Sequence, residues 1–248
     1  MAAQCTDSEK KDIFISKNSI KRLLKDVKDI INNPLTDSGI YYKHSETDIL
    51  SGQALIIGPQ NTPYASGYYL FNFKFPNDYP HKPPVVTYHT NDGTTRFNPN
   101  LYRSGKVCVS ILNTWRGPQW TGCQSITSIL LCLCTAVLND KPLLNEPGIN
   151  NTHADYKNYT EIITYKNYDV AIGDMLFRED IKKQFPELHK EMCIHFLGNY
   201  KKIMNNISQV ETEEKIITTS LYKMKVKINY SRVKEKLEKI YQNLTKLN

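Results

Sequence analysis

Residues 68–88 read YYLFNFKFPNDYPHKPPVVTY, and this stretch decides the fold class. Tyr69, Phe71, Phe73 and Phe75 alternate with Leu70, Asn72 and Lys74. That is the period of a β-strand, whose successive side chains point to opposite faces. Pro76-Asn77-Asp78 interrupts the run, and after Pro83-Pro84 a second β-rich run occupies 85–88. Upstream, 54–57 read ALII, closed by Gly58-Pro59, with Gly67 just before the central run. Three candidate strands, 54–57, 68–75 and 85–88, thus follow one another at short spacing. Parallel neighbours would need crossovers of a dozen or more residues, so an antiparallel meander is expected.

Helical patterns surround the strands. Ile20, Leu23, Leu24, Val27, Ile30 and Ile31 form an apolar stripe, with Lys21, Arg22, Lys25 and Lys28 off it. Ser16 or Ser19 caps this helix and Pro34 ends it. Residues 126–138 are almost wholly apolar and predict a buried helix; 157–177 and 178–205 predict two more. In a last helix over 230–247, Val233, Leu237, Ile240, Tyr241 and Leu244 share one face. Lys223, Lys225 and Lys227 alternate with Met224 and Val226, a pattern closer to a strand edge or extended link. Between strands and helices, 98–120 is irregular and rich in Asn, Gly, Pro and Trp, as functional loops on rigid scaffolds are.

The chain has 248 residues, with 32 Lys+Arg against 25 Asp+Glu and a net charge of +7. That length fits one domain with an appendage, or two small ones. At 40% hydrophobic and 23% charged, the composition fits neither wholesale disorder nor a fibrous repeat. Nine Lys/Arg and two Glu lie from Lys215 onward, so the preceding 214 residues are balanced. The body therefore lacks the charge excess of a nucleic-acid binder, and the basic tail lacks an aromatic stacking platform; neither nucleic acid nor membrane is an expected partner. No stretch approaches the roughly 18 apolar residues of a membrane span. The start, MAAQCTDSEKKD, has no secretory character, so a cytoplasmic or nuclear protein with mostly reduced cysteines is expected. The expected division is a disordered segment at 1–15, a core at 16–177 and a helical, basic extension at 178–248.

Of the six cysteines, Cys132 and Cys134 fall in the apolar helix, Cys193 in a later one and Cys5 in the polar start. Cys-x-Cys can bind metal, but no second pair or His cluster has matching spacing, so no metal is expected. Cys123 follows Trp120-Thr121-Gly122 in the loop. Cys108 stands apart, in Gly105-Lys106-Val107-Cys108-Val109-Ser110-Ile111-Leu112, eight residues past Asn100. No His is near it in sequence. A thiol without a base suits carriage of an acyl group as a thioester, because an activated incoming group does not demand a strongly depressed thiol pKa. The plainer alternative is a buried structural thiol. Asn100 is placed either to hold the loop or to donate to the oxyanion that forms on transfer.

These residues resemble the ubiquitin-conjugating enzymes. Gly58-Pro59 with Thr62-Pro63-Tyr64 and Gly67 is similar to that family's first hairpin. Phe71-x-Phe73-x-Phe75-Pro76-x-x-Tyr79-Pro80-x-x-Pro83-Pro84-x-Val86 is similar to its strand and proline turn. Asn98-Pro99-Asn100 and the Gly105–Leu112 segment are similar to its active-site segment, followed by Trp120 and the 125–138 helix. Arg96-Phe97-Asn98-Pro99-Asn100, Thr114-Trp115-Arg116-Gly117-Pro118-Gln119-Trp120 and Asn145-Glu146-Pro147-Gly148 resemble the Z-type branch. So do Lys157-Asn158-Tyr159 and Val170-Ala171-Ile172-Gly173-Asp174-Met175; the long leader of that branch is not expected here.

The resemblance implies an α/β (α+β) fold, a four-stranded antiparallel meander flanked by helices, followed here by a helical C-terminal extension. It implies a transferase that takes ubiquitin from an activating enzyme onto Cys108 and passes it, with a ubiquitin ligase, to a substrate lysine. Asn100 falls on the oxyanion and loop asparagine. Glu146 falls at the acidic gate that helps deprotonate the lysine, with Asn145 as the competing choice. Arg22 and Lys25 fall where the first helix docks on the activating enzyme; the plainer alternative is a solvated helix face. The implied ligase contacts are His81, where the family has an aromatic residue, and Gly122 with Cys123, where it has Pro-Ala. Asn98 stands where most of the family has His. No cofactor is implied. The cargo stays open between ubiquitin and a ubiquitin-like modifier, and a non-catalytic binding variant is the alternative from another class.

Overall fold

The computed structural model of the chain describes residues 15–210 and 213–246. The expected disorder of 1–15 lies outside the described residues except for Ile15, as do Cys5 and Leu247. Helix α1 (Lys17–Asn32) starts at Ser16, whose hydroxyl accepts the Ser19 N–H at 3.0 Å and satisfies one of the unpaired first-turn donors. Leu23, Val27 and Ile30 are buried, while Leu24 and Ile31 of the expected stripe stay exposed. The apolar stripe is wider than the face that packs on the body.

Four strands follow: β1 (Ile40–His44), β2 (Ser51–Ile57), β3 (Tyr68–Lys74) and β4 (Val85–Tyr88). They lie in chain order, each antiparallel to the next, with Leu55 opposite Leu70 and Phe71 opposite Tyr88. The meander is therefore as expected, and β1 is the strand the sequence did not locate. Its five residues bury only Ile40 fully, so they carry little apolar signal.

Strand β3 is covered on both faces. Tyr68, Tyr69, Leu70 and Phe71 are all buried. Tyr69 faces the core, meeting Tyr64 edge-on at 5.5 Å between ring centres and Phe97 at 6.2 Å. The opposite face meets the C-terminal half of the chain. Tyr68 lies 3.1 Å from the His195 ring nitrogen, and the His89 ring packs on Phe185. An antiparallel sheet can leave one face to water; here the extension covers it.

Helix α2 (Ile126–Cys132) opens on a reciprocal Ser125–Ser128 cap and runs into a wider π-type turn over Leu133–Val137. It buries Ile126, Ile129, Leu130, Leu133 and Val137 but exposes Leu131, Thr135 and Ala136, so its burial is one-sided. Helix α3 (Tyr156–Lys166) likewise widens over Asn167–Asp174 before a short α4 (Met175–Phe177). Next come α5 (Glu179–Gln184) and α6 (Pro186–Ser208), where the sequence predicted one helix over 178–205. Arg178, with ψ 122°, separates α4 from α5. Pro186 disfavours helical backbone at Phe185 and separates α5 from α6.

The extension is not wholly helical. A hairpin of β5 (Lys215–Thr218) and β6 (Lys225–Ile228) precedes α7 (Tyr230–Lys246). The Lys-Val-Lys-Ile alternation buries Val226 and Ile228 and exposes both lysines, so period two prevails over a helix there. Helix α7 buries Tyr230, Val233, Leu237 and Ile240. It is tied to the body by Lys236, whose Nζ lies 2.8 Å from Asp169 and 2.7 Å from Asp174.

Candidate active site

The segment after β4 turns tightly at Tyr102–Lys106, with the Tyr102 N–H on the Lys106 carbonyl at 2.9 Å. Gly105 makes the turn possible. Its φ is +85°, and a Cβ there would sit 2.9 Å from the Tyr88 carbonyl oxygen. The turn brings Cys108 back beside Asn100, and the two residues clasp each other. The Cys108 N–H donates to the Asn100 carbonyl at 2.8 Å, and the Asn100 carboxamide donates to the Cys108 carbonyl at 2.6 Å. Both residues are buried, Cys108 at 2% and Asn100 at 5% exposure.

An asparagine cluster surrounds this clasp. Asn98 donates to the Tyr64 hydroxyl at 2.9 Å and the Val137 carbonyl at 2.7 Å, and accepts the Asn100 N–H at 2.8 Å. Fully buried polar groups must be paired, and Asn98 is; its role is to lock the loop onto the π-type turn after α2. Asn145 reaches the Asn100 carboxamide oxygen at 2.9 Å and accepts from Asn139 at 2.8 Å. On the other side, Thr114 accepts the Val109 N–H at 3.0 Å, and Asn113 accepts the Trp120 N–H at 2.8 Å. The Trp120 indole donates to the Pro80 carbonyl at 2.7 Å, joining this flap to the proline turn.

Of the two candidates at the gate, Asn145 joins the Asn100 cluster and Glu146 turns to another partner. The Glu146 carboxylate accepts the Tyr222 hydroxyl at 2.5 Å. Arg96 donates to the carbonyls of Asn98 and Pro99 at 3.1 and 2.6 Å while its guanidinium lies 3.4 Å over the Tyr102 ring. Sequence reasoning missed Tyr222, because a residue in the extension carries no motif linking it to a loop 76 positions away. Asn145 was legible only as the alternative.

Arg22 turns inward rather than outward. Its guanidinium donates to the Gly122 carbonyl, to the Gln124 carbonyl at 2.6 Å and to Asp26 at 2.9 Å. Asp26 also receives the Tyr79 hydroxyl. Although burial disfavours its charge, the Asp26 pairing holds the Arg22 guanidinium above its ordinary value. Arg22 thus braces α1 against the loop that carries Gly122 and Cys123. Lys25, His81, Gly122 and Cys123 are exposed. Cys132, Cys134 and Cys193 have thiols pushed up by burial, as inert packing thiols do. Among the described residues, no group of three His, Cys, Asp or Glu side chains is placed to hold a metal, and no helix is long and apolar enough to cross a membrane.

Residues 22–167 match the family model described as ubiquitin-conjugating enzyme, and this span contains the clasp, the asparagine cluster and Glu146. The chain belongs to the ubiquitin-conjugating enzyme family. It is 42% identical to ubiquitin-conjugating enzyme E2 Z of Danio rerio over 164 residues, covering 65% of this chain and 49% of that protein. It is 42% identical to E2 Z of Homo sapiens over 158 residues, covering 62% of this chain and 44% of that protein. Putative ubiquitin-conjugating enzyme E2 39 of Arabidopsis thaliana is 34% identical over 175 residues, covering 68% and 54% respectively. The chain spans about half the length of these curated relatives. The likeness to E2 Z agrees with the Z-type motifs at 96–100, 114–120 and 145–148. The ubiquitin-conjugating fold explains why these motifs, dispersed in sequence, converge on one cysteine.

Proposed function

We propose that this chain carries ubiquitin as a thioester on Cys108 and transfers it to a lysine amine. The observation that carries the reading is the reciprocal backbone and side-chain clasp of Asn100 and Cys108. A fixed backbone at the sulfur-bearing residue keeps the acyl carbon in one place, which favours near-attack geometry. In loading, the Cys108 thiol gives its proton to water and its sulfur forms a new C–S bond as the bond to the activating enzyme's sulfur breaks and that sulfur leaves as thiolate. In transfer, the lysine nitrogen bonds the acyl carbon, the C–S bond breaks and Cys108 leaves as thiolate. The ammonium proton must depart before attack, and a carboxylate at Glu146 is suited to accept it and pass it to water; the second N–H proton released on bond formation goes to the departing Cys108 thiolate. Asn100 has two carboxamide N–H donors; one holds the Cys108 carbonyl, and the other is a donor for the developing oxyanion.

The partners that follow are an activating enzyme, a ligase and lysine-bearing proteins. Lys25, with exposed Lys21 and Lys28, offers a charged rim on α1 for the activating enzyme, which chiefly affects association rate. Arg22 supports that rim from within. His81, Gly122 and Cys123 lie on two exposed loops joined through Trp120 and Pro80, a surface for a ligase.

The test is loading. With ATP, ubiquitin and a panel of activating enzymes, the wild type should gain one ubiquitin in a band that disappears on reduction. Cys108→Ser should give an adduct that resists reduction, and Cys108→Ala should give none. A reducible adduct on Cys108→Ala would overturn the assignment. Loading by a ubiquitin-like modifier but not by ubiquitin would keep the chemistry and replace the cargo. Failure with every pair would leave the binding-only variant.

A further inference from the structure

The turn between β5 and β6 is built onto the rim of the candidate active site. Tyr222 and Lys223 both sit in left-handed backbone, at φ 61° and 48°, although neither is glycine. Such conformations persist where surrounding contacts over-determine them, and they concentrate at functional sites. Here contacts from five residues converge. The buried Asp155 carboxylate accepts the N–H groups of Ser220 and Leu221 at 3.1 and 2.8 Å. Arg103 donates to the Tyr222 carbonyl at 2.6 Å. The Tyr222 ring packs at 5.9 Å from Tyr159 and lies 5.1 Å from the Arg96 guanidinium. Its hydroxyl reaches the Glu146 carboxylate at 2.5 Å. Arg96 and Arg103 flank the very loop that holds Asn98 and Asn100.

We propose that Tyr222 is a positioning residue for amine transfer: its phenol fixes the carboxylate of Glu146, the residue next to Asn145 of the Asn145–Asn100–Cys108 cluster, so the C-terminal extension sets the rate at which a loaded modifier leaves. The proposal rests on the reading of Cys108 as thioester carrier. Glu146 is followed by Pro147 and Gly148 in an exposed bend, and a carboxylate there has no other fixed partner among the described residues. A base must sit within hydrogen-bond reach of the proton that it takes. Burial and the neighbouring carboxylate push the Tyr222 phenol far above its ordinary value, so it remains a donor at neutral pH. In transfer, the lysine ammonium first gives one proton to Glu146, which passes it to water; the neutral amine then forms the N–C bond, the C–S bond breaks as Cys108 departs as thiolate, and the remaining excess N–H proton goes to that thiolate. The phenol keeps its own proton throughout.

The experiment compares wild type, Tyr222→Phe, Glu146→Ala and the double variant in full-length protein. Each is first loaded with ubiquitin, and discharge to free lysine is then followed in a single turnover. Tyr222→Phe keeps the ring against Tyr159 and Arg96 and removes only the hydroxyl. It should load at the wild-type rate and discharge about five- to tenfold more slowly, the scale of one lost net hydrogen bond. In the Glu146→Ala background, Tyr222→Phe should change discharge by less than about twofold, because its partner is gone. Unchanged discharge in Tyr222→Phe overturns the proposal. Equal slowing with and without Glu146 also overturns it and makes Tyr222 a merely structural residue. A wild type that never loads removes the thioester reading itself, a separate outcome from loading with a null effect at Tyr222.

Discussion

Removing the Asn100 carboxamide strands the Cys108 carbonyl and takes from the Asn145 carboxamide its shortest contact, leaving it Asn98 at 3.3 Å and the Ala136 carbonyl at 3.0 Å. A buried acceptor left unpaired costs about 1–3 kcal/mol, so Asn100→Ala should lower unfolding free energy by that amount in urea titration. It should slow discharge as well, since the acyl carbon loses its fixed anchor. A drop in stability without a change in discharge would make Asn100 a loop residue only. At this scale the sequence was informative about Cys108 and Asn100, because short motifs dictate local turns. It was less informative about Asn145 and Glu146. Adjacent residues point in different directions, and which faces Asn100 depends on the 3₁₀ turn at Pro142–Asn145. Arg22 shows the same limit: periodicity placed it off the apolar stripe, yet backbone carbonyls across the fold capture its guanidinium.

Lys236 joins α7 to the widened turn after α3, donating to the Asp169 carbonyl at 2.6 Å and to the carboxylates of Asp169 and Asp174. Asp169 is only 6% exposed, so Lys236→Met leaves a mostly buried carboxylate without this partner. We expect a loss of about 2–3 kcal/mol, discounted for the partial exposure of the lysine, and faster amide exchange along α7. Unaltered exchange in α7 would show that its apolar face alone fixes it. Element types were legible where one period ran long, as in α1, β3 and α7. The short β1 (Ile-Tyr-Tyr-Lys-His) and β5 (Lys-Ile-Ile-Thr) were harder, because four or five residues without clean alternation carry little periodic signal. The covering of the outer sheet face by α5 and α6 was not legible at all. It depends on contacts such as Tyr68 with His195, separated by 127 positions.

For the whole molecule, acid should be the sensitive direction. Burial alone would raise Asp92, but the Lys166 ammonium at 2.9 Å and the N–H groups of Thr95 and Thr94 hold it down to about 2. Its unfolded value lies near the ordinary 3.8, so the unfolded chain binds the proton more tightly. The pair therefore contributes about 2 kcal/mol that is present above pH ~4 and lost as pH falls toward ~2. Lys166→Met should remove that contribution and flatten the stability profile between pH ~4 and ~2; an unchanged slope there would contradict the pairing. The same residues tie the loop after β4 to the widened turn after α3, so acid should loosen the body from the elements that carry α7. All of this architecture converges on one sulfur, and mass spectrometry can locate the adduct directly. The wild-type protein, loaded with ubiquitin and digested without reductant, should carry the modifier on the Cys108 peptide alone, and reductant should release it. A thioester on Cys123 or any other cysteine, with Cys108 free, would contradict the account.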